Sequence, residues 1–425
     1  MKSIIYNGIP WFDQNGDVVN AHGACIIKEG DRYYLFGEYK TNDDNKYIGF
    51  SCYSTQNFYE WKYEGPALPA YADGLLGPNR IGERVKVIKS PKTGKFIMLM
   101  HTDNQKYCDP CIGLAVSDRI NDEYAFIGPL LYNGQPIRKW DMGTFVDDDG
   151  TAYLLTHEGN IYKLNDDYTE AVELMTKDMA PGGESPAMYK NDGIYYAMFS
   201  NKTSWERNDN YYLTARSLSG PWEYKGLFCP EGSLTFNTQC SFVFDYMGEK
   251  GNVPIYLGDR WSYPKQAASA TLVLLPLSFC DGKMNINEYY PIWSPDDGKK
   301  QLVTPNEIWS LQSNIEGDSD SISFYGNRVI LFGAASKHGG YGKVEIVSDT
   351  GKIMNVSVID FYSRIPDRGI RYVSPLFAEG RYTVKITVLG ESGVWFSKDG
   401  TRYGSDDCCI NIYGYSVNDS VPKIS

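Results

Sequence analysis

The sequence has no run of eighteen apolar residues, so it offers no candidate helix for crossing a bilayer. It has no cluster of Lys or Arg long enough to grip phosphates, and its net charge is −12, which argues against duplex binding and against a membrane-surface role. Only 4 His are present, scattered and without paired spacing, so no catalytic metal and no cofactor are expected. The 9 Cys are odd in number and spread out, apart from Cys108/Cys111 and Cys408-Cys409, so they set up no disulfide framework. Cys108-Asp109-Pro110-Cys111 has half the spacing of a zinc site, but no second pair stands at a suitable distance. The thiols read as buried or idle groups in a reducing compartment. The first residues, Met1 to Gly8, have no apolar h-region, and the expected location is cytoplasmic. Long 3.6-period segments are missing as well, which turns attention to strands.

Strand formers are abundant. Aromatics reach 14%, with 34 Tyr and 9 Trp, residues whose flat apolar faces and polar edges suit both strand cores and sugar rings. At 425 residues and 42% hydrophobic content, the chain can bury two cores. One pattern recurs: a polar residue, an apolar strand, a turn, and a return strand that is often Tyr-rich. The copies open at His22, Glu83, Asp141, Glu184 and Gln239. Their turns fall at Glu29-Gly30-Asp31, Lys92-Thr93-Gly94, Asp148-Asp149-Gly150, Asn191-Asp192-Gly193 and, in a longer fifth turn, around Gly248 and Gly251. Asp-Gly between two apolar runs signals a hairpin, because glycine accepts the positive φ that the turn demands. Segments such as Phe58–Tyr63 and Gly220–Tyr224 supply further strands.

Five such units predict an all-β fold: a five-bladed β-propeller over residues 1–305, followed by a small β-sandwich of jelly-roll type over 306–425. A plain sandwich made of the same strands would leave the recurring polar residue unexplained. In a propeller the first strand of each blade lines a central funnel, so the five opening residues become one polar cluster. Three of them, Glu83, Asp141 and Glu184, are acids. Crowded carboxylates raise at least one pKa, and glycoside hydrolysis needs that pairing of a protonated acid with a second group that directs water. The competing reading pairs these acids with Arg84, Lys86 or Arg260 and leaves them structural. Glu38, His22, Asp103, Tyr107, Trp205, Asp259 and Trp261 lie at strand ends or in loops near the same mouth and are read as substrate-binding.

Six motifs add a resemblance: Ala21-His22-Gly23-Ala24, Phe36-Gly37-Glu38, Glu83-Arg84-Val85-Lys86-Val87, Glu184-Ser185-Pro186, Ser219-Gly220-Pro221-Trp222 and Tyr256-Leu257-Gly258-Asp259-Arg260-Trp261. Together, over roughly residues 8–295, they resemble family 43 of the glycoside hydrolases, and within it the exo-β-1,3-galactanase branch. The resemblance implies an inverting hydrolase with Glu184 as general acid and Asp141 orienting it. Most of that family opens the first blade with an Asp base, whereas this chain has His22-Gly23 there, as that branch does. The resemblance then puts the attacking water on Gln239, with Glu83 nearby. A neutral amide is a poor base, so the proton goes either to an imidic Gln239 or to Glu83.

The expected activity is exo-acting release of galactose from β-1,3-galactan or arabinogalactan-derived oligosaccharides, and the expected partner is that saccharide rather than nucleic acid or membrane. The alternatives are an arabinofuranosidase or xylosidase on the same fold, or a sugar-binding propeller without catalysis. The acids of the tail share no register, so the tail is expected to be structural or a docking surface.

Overall fold

The computed structural model describes residues 2–248 and 251–417. Met1, residues 418–425 and the middle of the fifth turn therefore lie outside the described residues. The fold is all-β, with helical turns of at most four residues among the described ones. Five antiparallel meanders follow one another; the first, fourth and fifth open at His22, Glu184 and Gln239 as the repeat predicts, whereas the second opens at Arg80, three residues before Glu83, and the third at Met142, just after Asp141. The first joins His22–Glu29, Arg32–Glu38, Gly49–Thr55 and Lys62–Pro69, and the second Arg80–Lys89, Phe96–Asn104, Cys111–Ser117 and Ala125–Pro129. The fourth runs from Glu184–Asn191 to Glu223–Leu227, and the fifth joins Gln239–Gly248, Gly251–Arg260 and Thr271–Pro276. The third, from Met142–Val146 to Ala171–Thr176, carries an extra hairpin, Leu131–Tyr132 with Gln135–Pro136, on its outer edge.

Three local readings change, one of them at Gly220–Tyr224, where the strand begins only at Glu223. The fourth strand of the first sheet begins at Lys62 rather than Phe58. Phe58 sits at φ 63° in the preceding turn and is wholly buried, so its aromatic run marks a packed corner. A strand that the repeat does not announce, Ile5–Tyr6, pairs with Ile292–Ser294 and thereby ties the start of the chain to the end of the fifth unit.

The opening strands are neighbours in cyclic order, the fifth lying beside the first. Each of four carries a bulge just after its opening residue, as where Glu83 faces His101 and Lys86 faces Leu99. A bulge turns the following backbone N–H out of the ladder. The side chain of a neighbouring sheet takes that N–H up: Glu38 accepts from Arg84 N at 2.9 Å, Asp141 from Ser185 N at 2.8 Å and Asp259 from Gly23 N at 2.9 Å. Gly23 has φ 55°, and a Cβ there would stand 2.0 Å from Glu38 Oε1. Only glycine allows that backbone and leaves the carboxylate in place.

After Lys299–Gln301 two four-stranded sheets form. One contains Leu311–Ser313, Ile410–Val417, Val329–Ala335 and Asp367–Val373; the other contains Ser319–Gly326, Gly380–Val388, Tyr341–Ser348 and Ile353–Asp360. Their inner faces supply one apolar cluster, including Leu331, Val344, Ile346, Phe361, Tyr372, Val384 and Ile386. Alternation along Gly380–Val388, buried at every second residue from Tyr382, places these side chains inward. Ile330, Phe332 and Val373 point the other way and join a cluster with Trp11, Trp61, Phe244 and Trp293 of the preceding unit. The two units thus share buried apolar surface.

Candidate active site

The cyclic order brings the five opening residues together, and Arg84 stands at their centre. Its left-handed backbone (φ 57°) aims the side chain across the cluster. Nε donates to Asp141 Oδ1 at 2.9 Å, Nη2 donates to Gln239 Oε1 at 2.6 Å, and Nη1 faces Asp259 Oδ2 at 3.8 Å. The sequence had offered Arg84, Lys86 and Arg260 alike as partners for the acids. Arg84 alone of the three takes that part among the described residues: Lys86 donates to Gly23 O and Arg260 to Phe236 O.

Gln239 is held in one orientation. Its Oε1 also accepts from Trp261 Nε1 at 2.8 Å, and Nε2 donates to Ser200 Oγ at 2.8 Å. Arg and Trp nitrogens only donate, so the carbonyl end must face them. Asp141, strained at φ 38°, accepts Ser185 N and Oγ on its second oxygen. Glu184, opposite Ser200 in the fourth sheet, stays half-buried. Burial, and then the Asp141 charge, push its carboxyl up to about 8, so at neutral pH it keeps its proton.

Glu83 is built the opposite way. Its Oε1 accepts from Tyr107 OH at 2.8 Å and Asn45 Nδ2 at 2.7 Å, and its Oε2 lies 3.2 Å from His101 Nδ1. Burial alone would raise it, but the His101 hydrogen bond and the charges of Lys40 and His101 outweigh that and hold it far below the usual carboxylate range. Burial opposes a charged His101, yet its hydrogen bonds to Asp103 and Glu83 lift it to about 9. One acid that stays protonated therefore stands in a cluster with one that stays charged.

Among the residues read as substrate-binding, Trp205 and Tyr107 keep accessible surface, Tyr107 being 37% exposed. Trp261 is buried, with its indole turned to Gln239 and Trp205 against it edge to face at 5.1 Å. His22, Glu38, Asp103 and Asp259 are wholly or nearly enclosed. Glu38 is ion-paired with Lys40, and Asp103 accepts Asn104 N and Asp109 N while backing His101, so both act inside the wall. Burial, then Lys40, lower His22 to about 3, which leaves its ring neutral beside Trp261. Burial also raises Asp259, to about 6. Lys40, Asn45 and Ser200 were not singled out from sequence. Lys40 and Asn45 lie outside the repeat register; Ser200 was readable as the register partner of Glu184.

Residues 19–227 match the model for glycosyl hydrolases family 43. A protein of Bifidobacterium bifidum to which exo-β-1,3-galactanase activity is ascribed is 36% identical, with 66% of this chain and 95% of that one covered at a TM-score of 0.61. A β-1,3-galactosidase of the same family, solved with galactodeoxynojirimycin, is 28% identical over 67% of this chain and 98% of that one, at a TM-score of 0.61. The exo-β-1,3-galactanase of Phanerochaete chrysosporium, solved with galactose, shares the fold over 97% of this chain and all of that one (100%) at 22% identity and a TM-score of 0.67. The comparison with curated proteins returned no match. A family-model match across the first four sheets, with a relative 36% identical over nearly its whole length, shows that the chain is a glycosidase and belongs to family 43 of the glycosyl hydrolases.

Proposed function

We propose that this glycosidase is an exo-acting, inverting β-1,3-galactosidase, and that its five meanders are the blades of a β-propeller whose funnel holds the site, with the tail as a β-sandwich. The observation that carries the mechanism is the half-buried Glu184, kept protonated to about pH 8 beside the Arg84–Asp141–Gln239 network. Its O–H donates to the glycosidic oxygen as the C1–O bond breaks, and a water attacks C1 from the opposite face. Asp141 raises and orients that acid. Gln239 is poised to hold the water through the second hydrogen on Nε2. Its Oε1 already faces two donors, Arg84 and Trp261, an arrangement that opposes an imidic hydroxyl there. This favours Glu83, the charged carboxylate, as acceptor of the water's proton. The choice of galactose rests on the activities of the relatives.

Incubation with β-1,3-linked galacto-oligosaccharides and a panel of aryl glycosides is expected to release galactose alone, and proton NMR of early turnover should show the inverted anomer first. Release of arabinose or xylose instead would reassign the sugar; sugar binding without turnover would leave a lectin-like propeller. The pH dependence is a separate check. kcat/KM reports groups of the free enzyme, and Glu184 must carry its proton, so activity is expected to fall as pH rises through about 8. Glu83, held low, stays charged well below pH 5 and sets no limb in the neutral range. A profile flat to pH 10 would remove Glu184 as the acid.

A further inference from the structure

Besides the contacts of Tyr341, Asp360 and Tyr362 with the segments around Ser262 and Glu206, the tail reaches the site through a hairpin. Val394–Phe396 pairs with Arg402–Gly404, and the turn between them is closed by Gly400 N to Ser397 O at 2.9 Å. Asp399 accepts Thr401 N and Ser397 Oγ inside that turn, so its charge is spent on the tip itself. Lys398 is left to point across the gap. Its Nζ lies 5.4 Å from the centroid of the Tyr107 ring and donates to Lys106 O at 3.4 Å. At the hairpin base, Trp395 meets Tyr263 edge to face at 6.4 Å, Tyr263 stacks on Trp205 at 5.7 Å, and Trp205 meets Trp261. The hairpin therefore ends, by two routes, on the donors to Glu83 and to Gln239.

Tyr107 has reason to need such a brace. It sits at φ 53°, a left-handed backbone that a bulky residue adopts only under constraint, on a loop between two strands. The residue is partly exposed, while its hydroxyl, which also accepts from Asn45 Nδ2 at 2.8 Å, must stay 2.8 Å from Glu83. A cation over the ring face, tied to the neighbouring carbonyl, fixes both ring and loop. We propose that Lys398 of the tail is a positioning residue for hydrolysis, holding Tyr107 so that it keeps the Glu83 carboxylate in place. The proposal rests on the assignment of Glu83 given above. It also revises the expectation that the tail is only structural or a docking surface.

The test uses the full chain, with Lys398→Ala, Lys398→Arg, Tyr107→Leu and the Lys398→Ala/Tyr107→Leu pair. Lys398→Ala is expected to lower kcat about two- to five-fold, the size of an exposed cation–π contact, with KM and melting temperature unchanged. Lys398→Arg should restore the rate. In the Tyr107→Leu background the Lys398 effect should vanish, because the two residues act in series. Hydrogen–deuterium exchange of the 104–110 segment, measured without substrate, should quicken in Lys398→Ala and recover in Lys398→Arg. Unchanged exchange there would overturn the brace whatever the sugar specificity proves to be. A rate loss that persists in the Tyr107→Leu background would overturn it as well. Quickened exchange with an unchanged rate would also overturn the positioning role, the contact then being structural only, whereas a failure of the Glu83 assignment would show separately, as a Glu83→Gln variant that keeps the wild-type rate.

Discussion

Replacing Glu184 by Gln is expected to lower turnover of a β-1,3-linked galacto-oligosaccharide by about 10²–10⁴-fold, the usual worth of a positioned general acid. At neutral pH the native side chain is already uncharged, since burial and Asp141 hold its pKa at about 8. The amide therefore replaces a neutral group of the same shape, and the melting temperature should barely move. What is lost is the transferable proton. An aryl galactoside with a strongly acidic leaving group needs little protonation and should lose far less, so the ratio of the two losses is the diagnostic measurement. Wild-type rates on both substrates would remove Glu184 from the chemistry.

The second large effect is on stability. Arg84→Leu is expected to destabilise the fold by about 3–5 kcal/mol, read by urea unfolding, because it leaves buried carboxylates without their counter-charge. Asp141 loses its 2.9 Å partner and Asp259 the cation at 3.8 Å, both more than nine-tenths enclosed. Turnover should collapse too, since Gln239 loses one of the two donors that fix its orientation. Arg84→Lys should recover little, because a point charge cannot span Asp141 and Gln239 as the guanidinium fork does. A variant as stable and active as the parent would show that the network is dispensable.

Much of this arrangement could be read from the chain. The Asp-Gly and Asn-Asp-Gly turns located the hairpins, and counting back from them put Glu83, Asp141, Glu184 and Gln239 at or within three residues of the start of their strands, so their grouping followed from register. The bulges did not follow, because nothing in Glu83-Arg84-Val85 announces that Arg84 leaves the ladder and turns its side chain toward its neighbours. For the same reason Arg84 could be offered only as one counter-charge among three. Asp103 and Asp259 were read as substrate-binding from their strand-end positions; in the structure both are buried, Asp103 against His101 and Asp259 accepting Gly23 N. The Lys398–Tyr107 contact joins residues nearly three hundred apart on unrelated elements, and no local pattern encodes such a meeting. The strand Ile5–Tyr6, two residues long, was too short to show a period.

That strand has a consequence for biosynthesis. Its hydrogen-bonding partner is Ile292–Trp293, and the first sheet's Gly23 is tied to Asp259 of the fifth. At about 5–20 residues per second a ribosome needs roughly a quarter of a minute to a minute to bring Ile292 out after Ile5. Throughout that interval Ile5 waits for its strand partner, although Ile4 N can already bond Asn57 O and Tyr6 O can already accept from Trp11 Nε1. The polar centre, which takes residues from all five meanders, comes into being only when the fifth one has emerged.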